Sequence, residues 1–104
     1  MRILIVGDGK VGHTLATELL REGHDITIID QDPKLLAELS NFADVITIEG
    51  EATTFATLRK AAVRKCDLFI AVDSIENDNI LSAMMAKQLG AKKSIARIDN
   101  NEYL

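Results

Sequence analysis

Four short, almost continuous runs of Ile, Val and Leu punctuate this chain, at residues 3–6, 26–29, 45–48 and 68–72, with a weaker fifth at 94–98. Runs of four or five apolar residues, too dense for in–out alternation, are the pattern of strands covered on both faces, as in a parallel sheet. Helical patterns fill the gaps. Val11, Leu15 and Leu19 recur every fourth residue, flanked by Ala16 and Leu20, until Gly23 ends the helix. Asp32-Pro33 supplies an N-cap followed by proline at the first helical position, with Leu35, Leu36 and Leu39 as the buried stripe. Thr53 or Thr54 caps a third helix through Ala62, with Phe55 and Leu58 facing inward. A fourth runs from about Glu76 to Leu89 and stops at Gly90.

Strand and helix therefore alternate through five strands. Parallel neighbours need right-handed crossovers, and the economical solution is an α/β, Rossmann-like doubly wound sheet in the order 3-2-1-4-5. At 104 residues, with no internal linker or repeat, the chain is expected to be a single domain over 1–104. No 18-residue apolar run spans a membrane, and the opening MRILIVGDG does not read as a signal peptide, its apolar run being short and leading into glycines. Cys66 is the sole cysteine; it forms no internal disulfide, fits a reducing cytoplasm and is read as a structural or surface cysteine. Ile80, Leu81, Ala83, Met84, Met85, Ala86 and Leu89 cover over half the circumference of the fourth helix. Either its neighbours overlap it or the surplus meets another subunit.

The net charge of −4 does not favour nonspecific nucleic-acid binding. Residues 1–52 hold 4 basic and 10 acidic side chains, residues 53–104 hold 8 and 6. Arg59, Lys60, Arg64 and Lys65 cluster on one predicted helical segment, as a solvated face or as a docking surface for an acidic partner.

The segment VGDGKVG, residues 6–12, places Gly7-x-Gly9-x-x-Gly12 directly after a strand and directly before a helix, the context that gives this motif its meaning. Gly7 is read as permitting the tight turn, Gly9 as letting the backbone approach a phosphate, and Gly12 as letting the helix pack on the strand. The helix N-terminus offers free N–H groups and a partial positive charge to an anion. Asp30, 23 positions after Gly7, ends the second strand where a carboxylate accepts hydrogen bonds from ribose hydroxyls and repels a 2′-phosphate. NADP is thereby disfavoured, while NAD(H), ATP, ADP and AMP remain open. Lys10 is either a point charge for a terminal phosphate, tilting the ligand towards ATP or ADP, or a solvated lysine.

Ligands of such sheets lie beyond the carboxyl ends of the strands. The candidate cofactor-binding set is therefore Gly7, Asp8, Gly9, Lys10, Val11 and Gly12 of the loop; Asp30, Gln31 and Asp32 after the second strand; Gly50, Glu51, Ala52 and Thr53 after the third; Ala71, Val72, Asp73 and Ser74 after the fourth; and Arg97 from the fifth. Small residues at 50, 52 and 71 leave room for an adenine ring. Arg97 pairs with phosphate, or with Asp73 or Asp99 in a structural contact. No catalytic or metal-binding set emerges.

The segments MRILIVGDGKVGHTLATELLREGHDITIID, VITIEGEATTFATLRKA, CDLFIAV and IARIDNNEYL together resemble the TrkA N-terminal domain, the RCK or KTN nucleotide-binding domain that regulates potassium channels and transporters. The resemblance covers essentially the whole chain. It implies a cytoplasmic regulatory subunit beneath the inner face of the plasma membrane, partnered with a membrane-embedded potassium transporter or channel and forming homodimers that assemble into rings. It further implies that Gly7, Gly9 and Gly12 hold phosphates, Asp30 the ribose, and 50–53 and 71–74 the adenine side, with Arg97 at the phosphate end. The chain departs from the family at 75–79, where only Asn79 and the acid at 76 of the usual pattern remain, and at Asp99, where a second basic residue is usual. Family domains continue into a sixth strand and a crossover helix, so the chain is expected to be truncated before that helix, or a minimal domain.

Two further classes compete with a nucleotide sensor. The NAD-binding fragment of a dehydrogenase is disfavoured because the chain leaves no room for a substrate domain. Its histidines, His13 on the first helix and His24 in a turn, also lack an evident acid–base partner. A flavodoxin-like receiver would place acids, not glycines, after the first strand. The chain is therefore expected not to be an enzyme.

Overall fold

Parallel pairing is what the apolar runs adopt. The computed structural model of the chain describes residues 1–7, 9–42 and 44–99, less the side chains of Lys10 and Phe42. In chain order these form β1 (Arg2–Val6), α1 (Gly9–Arg21), β2 (Asp25–Asp30), α2 (Pro33–Phe42), β3 (Ile46–Glu49), α3 (Phe55–Lys60), a 3-10 turn (Val63–Lys65), β4 (Leu68–Ala71), α4 (Glu76–Gln88) and β5 (Lys93–Ala96). The sheet has the order β3-β2-β1-β4-β5 and every pair is parallel. Ile3 lies opposite both Ile26 and Leu68, and Val6 opposite both Ile29 and Ala71, so the strands end together on one side.

Alternation along each strand sends side chains to two separate cores. Ile3, Ile5, Ile26, Ile28 and Ile70 pack under Ala16 of α1 and Leu36 and Leu39 of α2. Leu4, Val6, Ile29, Phe69 and Ala71 pack under Leu58 and Ala61, Val63 of the 3-10 turn, and Ala83 and Ala86 of α4. Asp32 caps α2 as expected, its Oδ1 accepting from the Lys34 N–H at 3.0 Å.

Several boundaries and faces differ from the sequence expectation. Residues 45–48 read as a strand buried on both faces, yet β3 is an edge strand and Ile46 is 63% exposed. The fifth strand begins at Lys93 and ends at Ala96, leaving Arg97 and Ile98 beyond it. The third helix stops at Lys60, because Ala62 adopts a left-handed φ of 57° and turns the chain into the 3-10 segment. Phe55 faces outward, under the Arg59 guanidinium at 5.6 Å, while Leu58 alone carries that helix's buried face. Val11 is exposed rather than part of the α1 stripe. On α4 the sheet-facing residues are the small or polar Asn79, Ser82, Ala83 and Ala86, which allow close approach, and Leu81 and Met84 are left exposed.

Candidate functional site

The carboxyl ends of the strands open onto a crevice of about 150 Å³. Gly7 follows β1 at its floor; Asp30 and Gln31 follow β2; Gly50, Glu51, Ala52 and Thr53 follow β3; Asp73 and Ser74 follow β4. The remaining wall is the start of α4, with Ile75, Asp78, Asn79 and Ser82. A volume of this size holds one ring-sized group, not a whole nucleotide.

The three glycines serve geometry that the motif alone sorts differently. A Cβ on Gly7 would stand 2.7 Å from Val72 Cγ2 and 3.2 Å from the Val72 carbonyl carbon and oxygen, so its requirement is close packing of β1 on β4 rather than a turn. Gly9 has φ +71° with nothing within 4 Å of an added Cβ; it is the residue that makes the turn. A Cβ on Gly12 would lie 3.1 Å from the Gly7 carbonyl oxygen, in keeping with close seating of α1 on the loop. α1 therefore begins at the crevice end of β1 and carries no acidic side chain in its first turn. The positive end of the dipole of this 13-residue helix lies there.

Asp30 is buried, and its Oδ1 accepts the Asp32 N–H at 2.8 Å, while its carbonyl accepts the Gly50 N–H at 2.9 Å. It thus shapes the turn and still presents its carboxylate to the crevice. Thr54, the cap of α3, donates from Oγ1 to the Glu51 carbonyl at 2.9 Å, fixing the third wall. Glu51, Asp73 and Asp78 add carboxyl groups around the same opening. Carboxylates repel phosphate, so an anionic group would be favoured towards the α1 N-terminus and neutral groups beside the carboxylates.

Not every candidate lines the crevice. Ala71 is fully buried in the core and Val72 packs over Gly7, so both support the wall without facing it; an adenine site gains no room from Ala71. Asp32 is occupied in capping α2. Gly9, Val11 and Gly12 lie on the loop and α1 beside the crevice rather than in its lining. Arg97 meets Asp99, one of the structural partners expected of it. Its Nη2 and Nε donate to Asp99 Oδ2 and Oδ1 at 3.0 and 3.3 Å, because the short spacing lets a planar fork meet a carboxylate. Asp8, the Lys10 side chain and residues 100–104 of the IARIDNNEYL ending lie outside the described residues.

Sequence reasoning left Ile75, Asp78, Asn79 and Ser82 out of the site. The signal was available: positions 75, 78, 79 and 82 are spaced i, i+3, i+4, i+7 and form one helix face, but the large apolar residues of α4 drew the eye to another. Asn79 is 1% exposed; its Oδ1 accepts the Asp73 N–H at 2.8 Å and its Nδ2 donates to the Asp73 and Arg97 carbonyls at 2.8 and 3.2 Å.

A second cavity, of about 430 Å³, lies under α3 at the opposite ends of the strands, with Leu4, Ile46, Ile48, Ala62 and Cys66 on its walls. It lacks the glycine loop and the switch-point position where sheets of this topology bind ligands. Burial, with Asp67 beside it, pushes the Cys66 thiol up to about 11, which keeps it protonated and unreactive at neutral pH. Among the described residues no group of three or more His, Cys, Asp or Glu side chains is placed to hold a metal ion, and no helix is long and apolar enough to cross a membrane.

A parallel sheet whose order reverses beside β1, with a glycine loop and crevice at the strand carboxyl ends, defines a Rossmann-type α/β domain. The chain belongs to the TrkA-N domain family, whose sequence model matches residues 3–104. It is 41% identical over 104 residues to a Trk system potassium uptake protein TrkA homolog of Archaeoglobus fulgidus, covering 100% of this chain and 23% of that protein. This chain thus spans less than a quarter of that relative's length. Among solved structures it superposes on a Shewanella denitrificans Kef CTD in AMP-bound form, with TM-score 0.75, 18% identity and coverage of 91% of this chain and 56% of that one. It also superposes on a GsuK channel bound to NAD, with TM-score 0.75, 19% identity and coverage of 90% and 17%. The fold extends to a putative short chain dehydrogenase/reductase family oxidoreductase of Aeromonas hydrophila, with TM-score 0.67, 16% identity and coverage of 84% and 51%.

Proposed function

We propose that this chain is a nucleotide-sensing regulatory domain of a potassium transport system, not an enzyme. It binds NAD(H) or ATP/ADP and controls a membrane-embedded potassium transporter or channel from the cytoplasmic side, as a homodimer or a larger ring. The observation that carries this reading is that Gly7 of the glycine loop and Asp30 line one crevice beside the start of α1, in a chain of the TrkA-N family. The AMP- and NAD-bound states of the structural neighbours, and the potassium-uptake name of the sequence relative, support it. Control would be a population shift, the nucleotide binding one arrangement of the assembly better than another.

The likeness to a reductase keeps the cofactor half of a dehydrogenase as the competing reading. Neither His13 nor His24 lines the crevice; His24 Nδ1 lies 3.1 Å from the Met1 amine, in the turn after α1. Thermal melting with NADH, NAD, ATP, ADP and AMP separates the two. A bound nucleotide at 100 times its Kd stabilises the fold by about 2.7 kcal/mol. Such stabilisation without hydride transfer to 2-hydroxy acids or similar substrates is the expected result; turnover of any of them, or no stabilisation by any adenylate, overturns the proposal.

A further inference from the structure

The first turn of α4 touches two otherwise separate parts of the molecule. Asn79 holds the Asp73 peptide from both sides, accepting from its N–H and donating to its carbonyl, each at 2.8 Å, and Asp73 is crevice wall. The same Nδ2 group donates to the Arg97 carbonyl at 3.2 Å, just past β5. One turn earlier, Glu76 Oε1 accepts the Asp99 N–H at 2.9 Å, and Asp99 in turn holds the Arg97 guanidinium. Below them Ser82, also buried, donates from Oγ to the Asn79 carbonyl at 3.3 Å. The Asn79 side chain thus meets three backbone groups, two of them carbonyls served by the same Nδ2 group.

We propose that Asn79 is a positioning residue that couples the crevice to residues 97–99: a nucleotide seated against Asp73 and Ser74 changes the order of the segment after β5 through the Asn79 amide and the Glu76 strap. The inference rests on the crevice being the nucleotide site. The physical ground is that one amide shared between two carbonyls cannot follow a shift of the Asp73 peptide without altering its bond to Arg97. Glu76 and Asn79 both sit on the first turn of a 13-residue helix, a stiff element rather than a loop, so displacement at one contact reaches the other.

The test is amide hydrogen exchange with ADP and NADH as probes, alongside calorimetry on the same samples. In the wild type either nucleotide slows exchange at Asp73 and Ser74 and changes it at Arg97 and Asp99. Asn79→Asp keeps the acceptor for the Asp73 N–H and replaces the shared donor with an oxygen. Binding falls by about tenfold as two carbonyls lose their partner, and the nucleotide-induced change at 97 and 99 disappears while that at 73 and 74 persists. Glu76→Ala, at a half-buried position outside the crevice lining, folds normally; it removes the nucleotide-induced change at Asp99 and retains the change at Arg97. A purely structural Asn79 would raise exchange throughout and leave the nucleotide-induced pattern intact. That result, or a wild type in which bound nucleotide alters only 73 and 74, overturns the coupling. Absence of heat with both nucleotides overturns the crevice reading and the coupling with it.

Discussion

Gly7 and Gly9 look alike in a motif and behave differently as residues. Gly7→Ala drives a Cβ to 2.7 Å from the branched side chain of buried Val72, with the Val72 backbone at 3.2 Å behind it. We expect a loss of about 1–3 kcal/mol by urea denaturation, the cost of overpacking a tight contact. Gly9→Ala meets no protein atom but must hold φ +71°, costing about 1 kcal/mol. If the loop holds a phosphate as proposed, a methyl at position 9, which meets no protein atom within 4 Å, is expected to obstruct it and weaken nucleotide binding. Asp30→Ala removes the group proposed for the ribose. Calorimetry should show NAD weakened about 10- to 100-fold, the range of hydrogen bonds to a charged group, with the preference for NAD over NADP reduced; unchanged affinity refutes the role. Cys66, with its thiol near 11, is expected to resist iodoacetamide at pH 8 in the folded protein and to react once urea unfolds it.

Elements that were dense in apolar residues could be read from the sequence, and so could the order in which the sheet joins them. The Ile-rich runs at 3–6, 26–29 and 68–72 contain the core strands because burial on both faces leaves no position for a polar residue. Edge strands defeat the same reasoning: Ile46 and Ile95 have the same composition as the centre yet face outward, since nothing in a four-residue run says whether another strand lies beside it. The loop and Asp30 were legible as parts of a site because motif and spacing carry them. The α4 wall was not, because Asn79 acts through contacts to segments before α4 and after β5, and the Asp99 partner of Arg97 was one of several that its position allowed. At the other end of the sheet Asp67 ties two strand starts, accepting the Arg2 N–H at 2.8 Å and meeting Lys92 Nζ at 3.0 Å. The Arg2 N–H, then Lys92, holds its carboxyl below the ordinary 3.8. A depressed carboxylate stabilises the fold above its unfolded value and loses that contribution as pH falls through the folded one. Asp67→Asn is therefore expected to be less stable than wild type by a constant margin at neutral pH, with the margin closing below about pH 4 in pH-dependent melting.

As a whole, the molecule sets carboxylates around its crevice and leaves apolar side chains exposed on α4, with Met84 66% exposed and Leu81 47%. Within the proposed homodimer this face is the natural contact. Met84→Glu should leave stability within about 0.5 kcal/mol, as for an ordinary surface change, and shift sedimentation towards monomer; self-association unchanged by the substitution places the contact elsewhere.

The order β3-β2-β1-β4-β5 puts the earliest of these five strands at the centre of the finished sheet, and its second neighbour, paired Ile3 to Leu68, is 65 residues away. On a ribosome adding about 5–20 residues per second, that partner emerges roughly 3–13 s later. Throughout that interval one hydrogen-bonding edge of β1, among the most apolar segments in the chain, waits without its neighbour. The nascent chain is consequently most exposed to mispairing and chaperone capture between completion of the β1–β2–β3 half and the arrival of Leu68–Ala71.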